Sequence, residues 1–477
     1  MTNWFFDCHH GVAFRRAEVS TRTDQRRLIR QVLWLAAILS VWPTSFVCAQ
    51  NQGQQGQQGQ FPGGIMISPD GVIDAAAAQQ INPALEQKRL QAVAKQQLSA
   101  DMTRRSELRR VSLVRLEQEI QKDLDEERPV RFELTCLAGM TQLHYIFVVP
   151  EENDLVLAGP AEGFAALPDG RVVGVESGRP VLRLDDMLTM LRLKSTAAQL
   201  GCSFDPDPDR LAKAQAWNRA NSSPASVGVA RQRFFQMAKV LGNWEITVFG
   251  LPASGHSAIT TIEADYVLKR LALGLDEPRI RGFLSHLDVA QPGENTMRRW
   301  WFAPRYHSIE RSADSLTFRL DGPRLQLLSQ DELIDLQGNR SDAAFREVST
   351  ERYTKNFNKH IDELCRQIPA FAGVQNLFDL AVTAALIRKF DLLHKISWKA
   401  ELLLDESRLP LQQYSVPTEV PSLVNVKNTN RSLLIGLIGG GVTVVPDEVI
   451  RRTGELTVPE PPHRVRPSTD MRSWWWD

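Results

Sequence analysis

Net charge is the first thing missing from this chain. Its 56 basic side chains are matched by 56 acidic ones, a formal balance of +0 over 477 residues. No whole-molecule field therefore favours nucleic acid or an anionic membrane. Cysteine is scarce too: of five, only Cys136, Cys202 and Cys365 lie beyond residue 49. Their spacing fits no zinc motif, and an odd number forbids complete pairing. They read as buried free thiols. The alternative is a Cys136–Cys202 disulfide, which would close a loop of about 65 residues and contribute roughly 4 kcal/mol. Catalytic signatures are lacking as well, with no Gly-x-Ser-x-Gly elbow, zinc helix motif, Walker loop or dinucleotide fingerprint. Gly439-Gly440-Gly441 has no Lys-Ser or Lys-Thr after it and reads as a strand bend, not a phosphate cradle. Beyond the N-terminal region no run approaches ~20 apolar residues, so no transmembrane helix is expected in the mature chain.

What is present begins with an address. Arg26, Arg27 and Arg30 precede an apolar run from Val32 to Trp42, and Val47-Cys48-Ala49 offers a cleavage site. Residues 1–49 read as a secretory signal peptide cut near Ala49, which predicts an exported protein, periplasmic or extracellular. Residues 50–60, built mostly of Asn, Gln and Gly, read as a flexible leader.

The remainder predicts an α+β fold, with mixed or antiparallel sheets and packed helices. Residues 61–130 read as a hairpin turning at Pro69-Asp70-Gly71, then a long charged helical segment to about Glu127. Arg104, Arg105, Arg109 and Arg110 fall within that segment and read as a solvated helix face. Residues 131–225 are β-rich, with a hairpin signal at Glu151-Glu152-Asn153. Asp205-Pro206-Asp207-Pro208-Asp209 reads as a helix-entry turn, not a calcium loop. In the central unit, 226–340, Trp244–Val248 reads as a strand and His256 to Leu275 as a helix. Ile280–Val289 reads as another strand, and Arg298–Arg311 with Ser315–Leu320 as an aromatic hairpin. Residues 341–408 read as a helical pair near the C-terminus. An extended segment and terminal strand follow over 409–457, then a disordered tail over 458–477.

Two glycine-led units echo each other. Residues 63–73 and 440–450 are identical at six of eleven positions. The expectation is that Ile65–Ile67 and Val442–Val444 enter the folded body, in the same sheet, with the 458–477 tail dispensable.

Chemistry-bearing residues are few. On a strand, His286 and Asp288 would alternate onto one face, with His307 on the next hairpin and Arg299 nearby. That set would suit a general base beside an anion-holding group. No metal site and no cofactor is expected. Ser254, His256 and Asp265 form a triad only on paper. Eleven tryptophans are generous for this length, and Trp300, Trp301, Trp474, Trp475 and Trp476 are binding candidates for sugars or partner side chains.

Gly63–Ile73, Ala158–Gly163, Gly170–Leu184, Gly250–Leu275, Arg299-Trp300-Trp301-Phe302 and Ile438–Val442 together resemble a family of secreted planctomycete bacterial proteins that carry a domain of unknown function. The resemblance implies export and a bacterial host, and it assigns no catalytic residue. The expected function is a non-catalytic interaction or envelope-associated role, with an unknown protein or polysaccharide partner and no nucleic acid. The alternative is a secreted hydrolase or metal-dependent enzyme using the His286, Asp288 and His307 region.

Overall fold

One helix, Pro369–Lys389, supplies much of the core, and its composition explains why. Phe371, Val374, Leu377, Phe378, Ala381, Ala385 and Leu386 are all buried, and so is almost every position between them. A helix apolar on all sides must be enclosed. By length and composition it could cross a membrane, and 94% of its apolar window is buried inside the protein. The computed structural model describes residues 83–455 apart from 224, 292–296, 335–339, 429–431, 437 and 452, together with 6–7, 65–67, 71–75 and 473–477. The proposed signal peptide, apart from 6–7, and the 50–60 leader lie outside the described residues.

Two seven-stranded sheets pack with the helices, an α+β arrangement. The first runs, edge to edge, Arg340–Asp342, Arg324–Ile334, Met297–Arg305, Ile438–Val444, Leu200–Pro206, Asn243–Phe249 and Glu419–Pro421. Only the pairing of Met297–Arg305 with Ile438–Val444 is parallel. The second runs Thr453–Glu455, Ser308–Arg311, Thr317–Asp321, Tyr145–Val149, Asp154–Ala161, Ser106–Ser112 and Trp475–Trp476. The expected aromatic hairpin is thus divided. Met297–Arg305 belongs to the first sheet, and the chain crosses at Tyr306-His307 to a hairpin in the second. Helices His256–Ala272, Val348–Lys359 and Pro369–Lys389 cover one face of the first sheet.

Several local expectations hold. Tyr145–Val149 and Asp154–Ala161 form the hairpin, with Asn153 left-handed at φ 49°. Asp207 caps Pro208–Ala220 by accepting from the Arg210 amide at 2.8 Å. Cys136, Cys202 and Cys365 are free and buried, so the Cys136–Cys202 bridge is absent.

Other expectations are overturned. The long N-terminal helical segment is two helices, Pro83–Gln97 and Leu113–Asp125, separated by the strand Ser106–Ser112. Arg109 and Arg110 are therefore not a solvated helix face, and Arg109 is fully buried. Strand pairing supplies its partners. The guanidinium donates to the carbonyls of Met102, Ala138 and Arg104, and forks onto Asp477 at 2.8 and 3.2 Å. It also stacks over Trp475, 4.6 Å from the ring centroid. The 458–477 tail accordingly ends in an ordered strand. Trp475 and Trp476 pair with Val111 and Arg110, and Trp476 packs among Phe147, Val149, Val156 and Ala158. The echoed units also differ. Ile65–Ile67 pairs with Ile73–Ala75 in a separate hairpin, whereas Ile438–Val444 is central in the first sheet. The hairpin reaches that sheet only through a Val72–Glu419 bridge at its edge. Pro446-Asp447 opens a helical turn instead of a hairpin.

Removing residues 473–477 should therefore lower the melting temperature by many degrees. Asp477→Ala alone should cost about 1–3 kcal/mol, because Arg109 keeps its burial and loses its counter-charge. Thermal melts of both variants check this, and an unchanged melting temperature on truncation would contradict it.

Candidate functional site

The histidine set does not assemble. Residues 280–285 form a turn, and His286–Val289 is a short helix, not a strand. The reason is local: Ser285 and Asp288 form a reciprocal capping box, with the Asp288 carboxylate accepting from the Ser285 amide at 2.9 Å. Asp288 is thereby engaged in holding a helix start. His286 is 1% exposed, its ring 5.0 Å from Trp300 and 6.2 Å from Tyr353, with Nε2 3.0 Å from the Ser349 hydroxyl. His307 is exposed at the crossover, 3.8 Å from Asp321. Among the described residues no group of three His, Cys, Asp or Glu side chains is placed to hold a metal. The paper triad separates too. Asp265 pairs with Lys269, Ser254 bonds Gln413, and His256 Nδ1 lies 2.8 Å from Asp186.

The tryptophans divide by strand alternation. Trp300 points inward, fully buried, its indole donating to the Thr354 hydroxyl at 3.2 Å. Trp474 and Trp476 are also buried, and Trp475 lies under Arg109, so this trio is structural and unavailable to a ligand. Trp301 and Arg299 are half-buried on the opposite face of the first sheet from Trp300.

That face is where the candidate residues meet. Trp301 lies opposite Gly441 in the register, and Gly441 opposite Ser203. A side chain at either central glycine is precluded. A Cβ at Gly440 would sit 2.0 Å from the Trp300 carbonyl oxygen, and one at Gly441 2.1 Å from that of Cys202. The result beside the indole is a furrow of about 370 Å³, lined by Gln199, Ser203, Phe249, Arg299, Gln330 and Thr443 among others. Arg299 reaches Asp205 at 3.6 Å, with the glycine strand lying between their two strands. Gln199 donates to the Thr443 hydroxyl at 2.6 Å, and Gln330 bonds Asp342. The arrangement offers one aromatic plane, two amides, two hydroxyls and one guanidinium, suited to binding and carrying no nucleophile–base pair. Sequence reasoning found Trp301 and Arg299. It missed Gln199, Ser203, Gln330 and Thr443, which come from three other strands and share no local pattern. The glycine triplet was the available signal.

One family model matches the chain. Residues 202–283 carry a domain described as a protein of unknown function, DUF1598. That domain supplies Ser203, Asp205 and Phe249 to the furrow, on the strands Leu200–Pro206 and Asn243–Phe249. No curated protein and no solved structure matches the chain.

Buried histidines set the pH response. Burial, and then Arg298, holds His286 well below its usual 6.5. Burial also lowers His144 to about 4, helped by Arg324, Arg179 and Arg319 against Asp321. Both are neutral when folded, whereas the unfolded chain protonates them below about 6.5. The unfolded state then binds more protons, so stability present above pH 6.5 is lost as the pH falls toward 4, by roughly 1.4 kcal/mol per unit for each group. Denaturant melts at pH 7.5 and 5 should show this loss, with a shallower fall in His144→Gln. Equal stability at the two values would contradict it.

Proposed function

We propose that this chain is an exported bacterial binding protein, not an enzyme, and that it holds a polysaccharide chain on the open face of its first sheet. The observation that carries the proposal is the furrow beside Trp301. A half-buried indole flanks it, its floor is free of side chains at Gly441, and its rim presents Gln199, Ser203, Arg299, Gln330 and Thr443. Sugar rings have apolar C–H faces that stack on an indole and hydroxyls that want amides, hydroxyls and guanidinium groups around them. A volume of about 370 Å³ falls within the range of small-ligand sites and leaves the ends open for a chain to continue. Export rests on the arginine-flanked apolar run before Ala49 and on the resemblance to secreted planctomycete proteins.

Affinity electrophoresis through gels holding soluble polysaccharides tests the ligand. At least one polysaccharide should retard the protein. Trp301→Ala should weaken retardation about tenfold, the upper end of ~0.5–1.5 kcal/mol for an aromatic stack, with little change in melting temperature. Retardation unaffected by Trp301→Ala would contradict the proposal. For export, the mass of protein taken from the cell envelope should place its first residue near Gln50, and an intact Met1 would contradict that part.

A further inference from the structure

A second cavity, of about 400 Å³, lies away from the furrow and shares none of its lining. Four arginines line it, Arg105, Arg179, Arg324 and Arg366, against two carboxylates, Glu162 and Asp362. The four cations are not equivalent. Arg324 is buried and compensated, with Asp379 at 3.3 Å and the carbonyls of Gly322, Leu143 and Leu320 around it. Arg105 is exposed and paired with Glu107 at 3.0 Å. Arg179 and Arg366 differ: among the described residues no carboxylate lies within ion-pair distance of either. Arg179 is half-buried and is held by a neutral group, donating at 2.9 Å to the side-chain oxygen of Gln375. Gln375 is itself fixed, because its nitrogen donates to the Pro323 carbonyl at 2.7 Å. The guanidinium is therefore oriented in advance and has lost water without gaining a counter-charge, which is unfavourable in an empty site.

The carboxylates do not supply that charge. Glu162 is 5% exposed and already accepts from the amides of Glu176 and Ser177 and from the Ser177 hydroxyl. Asp362 lines the cavity without a listed cation at ion-pair distance, so the lining keeps an excess of two positive charges. His144 registers the same field from behind, since Arg324 and Arg179 both help depress it.

We propose that this cavity binds an oxyanion, a phosphate, sulfate or carboxylate group carried by a small ligand, with Arg179 as the principal contact and Arg366 at the mouth. A planar guanidinium meets such a group with two parallel hydrogen bonds, which matches the fixed pose of Arg179.

The test uses the full chain and inorganic phosphate, with sodium chloride at equal ionic strength as the reference. Phosphate should raise the melting temperature saturably and should raise the NMR-measured pKa of His144 by at least half a unit. Arg179→Gln should weaken binding at least tenfold. Arg366→Gln, at an exposed position that the fold does not depend on, should weaken it severalfold and keeps the test decisive if the buried variant fails to fold. Citrate in place of phosphate distinguishes a carboxylate ligand, if it binds more tightly, from a phosphorylated or sulfated one, and either order supports the oxyanion site. An effect equalled by chloride, or unchanged in Arg366→Gln and in Arg179→Gln where that variant folds, would overturn it.

Discussion

The fold depends on a carboxylate buried at the middle of its core helix. Asp379 is fully buried on Pro369–Lys389 and accepts from the Tyr306 hydroxyl at 2.8 Å, from Arg324 Nε at 3.3 Å and from the Leu143 amide at 3.3 Å. Tyr306 sits where the chain leaves the first sheet for the second, Arg324 begins a strand of the first, and Leu143 leads into a strand of the second. One side chain thus ties both sheets to the helix between them. Burial pushes its carboxyl above the usual 3.8, while Arg324 and the hydrogen bonds oppose that rise. Arg324 adopts φ 61°, a strained value for a non-glycine residue, which its buried bonds over-determine. Gln375 lies one turn before Asp379 and orients Arg179, so the same helix both joins the sheets and forms a wall of the arginine-lined cavity.

The sheet face is a consequence of a different constraint. Ile438–Val444 must fit between Met297–Arg305 and Leu200–Pro206, and its glycines let both neighbours close on it. Alternation then sends Trp300 inward, onto His286 and Tyr353, and leaves Trp301 outward above the furrow. The buried and the exposed tryptophan are thus adjacent in sequence and opposite in role.

How much of this was legible depended on range. Period and turn chemistry exposed the Tyr145–Ala161 hairpin, the Asp207 cap, the His256–Ala272 helix and the core helix, because those signals act over a few residues. Ser285-x-x-Asp288 was equally local, and the apolar alternation around it masked a capping box. Arg109 looked like a surface charge because its partner, Asp477, lies 368 residues away. A guanidinium with that many acceptors can be buried, but its sequence neighbourhood records none of them. The candidate site shows the same limit. Trp301 and Arg299 share one strand and were found, while Gln199, Ser203, Gln330 and Thr443 reach the furrow only through pairings made by the finished sheet.

The most direct measurement is an NMR titration of the indole N–H signals with a polysaccharide that binds. The account predicts that the Trp301 signal shifts progressively to saturation while those of the buried Trp300, Trp474 and Trp476 stay in place. Saturation with the Trp301 signal unmoved would show that the ligand binds elsewhere and would contradict the sheet face as the binding site.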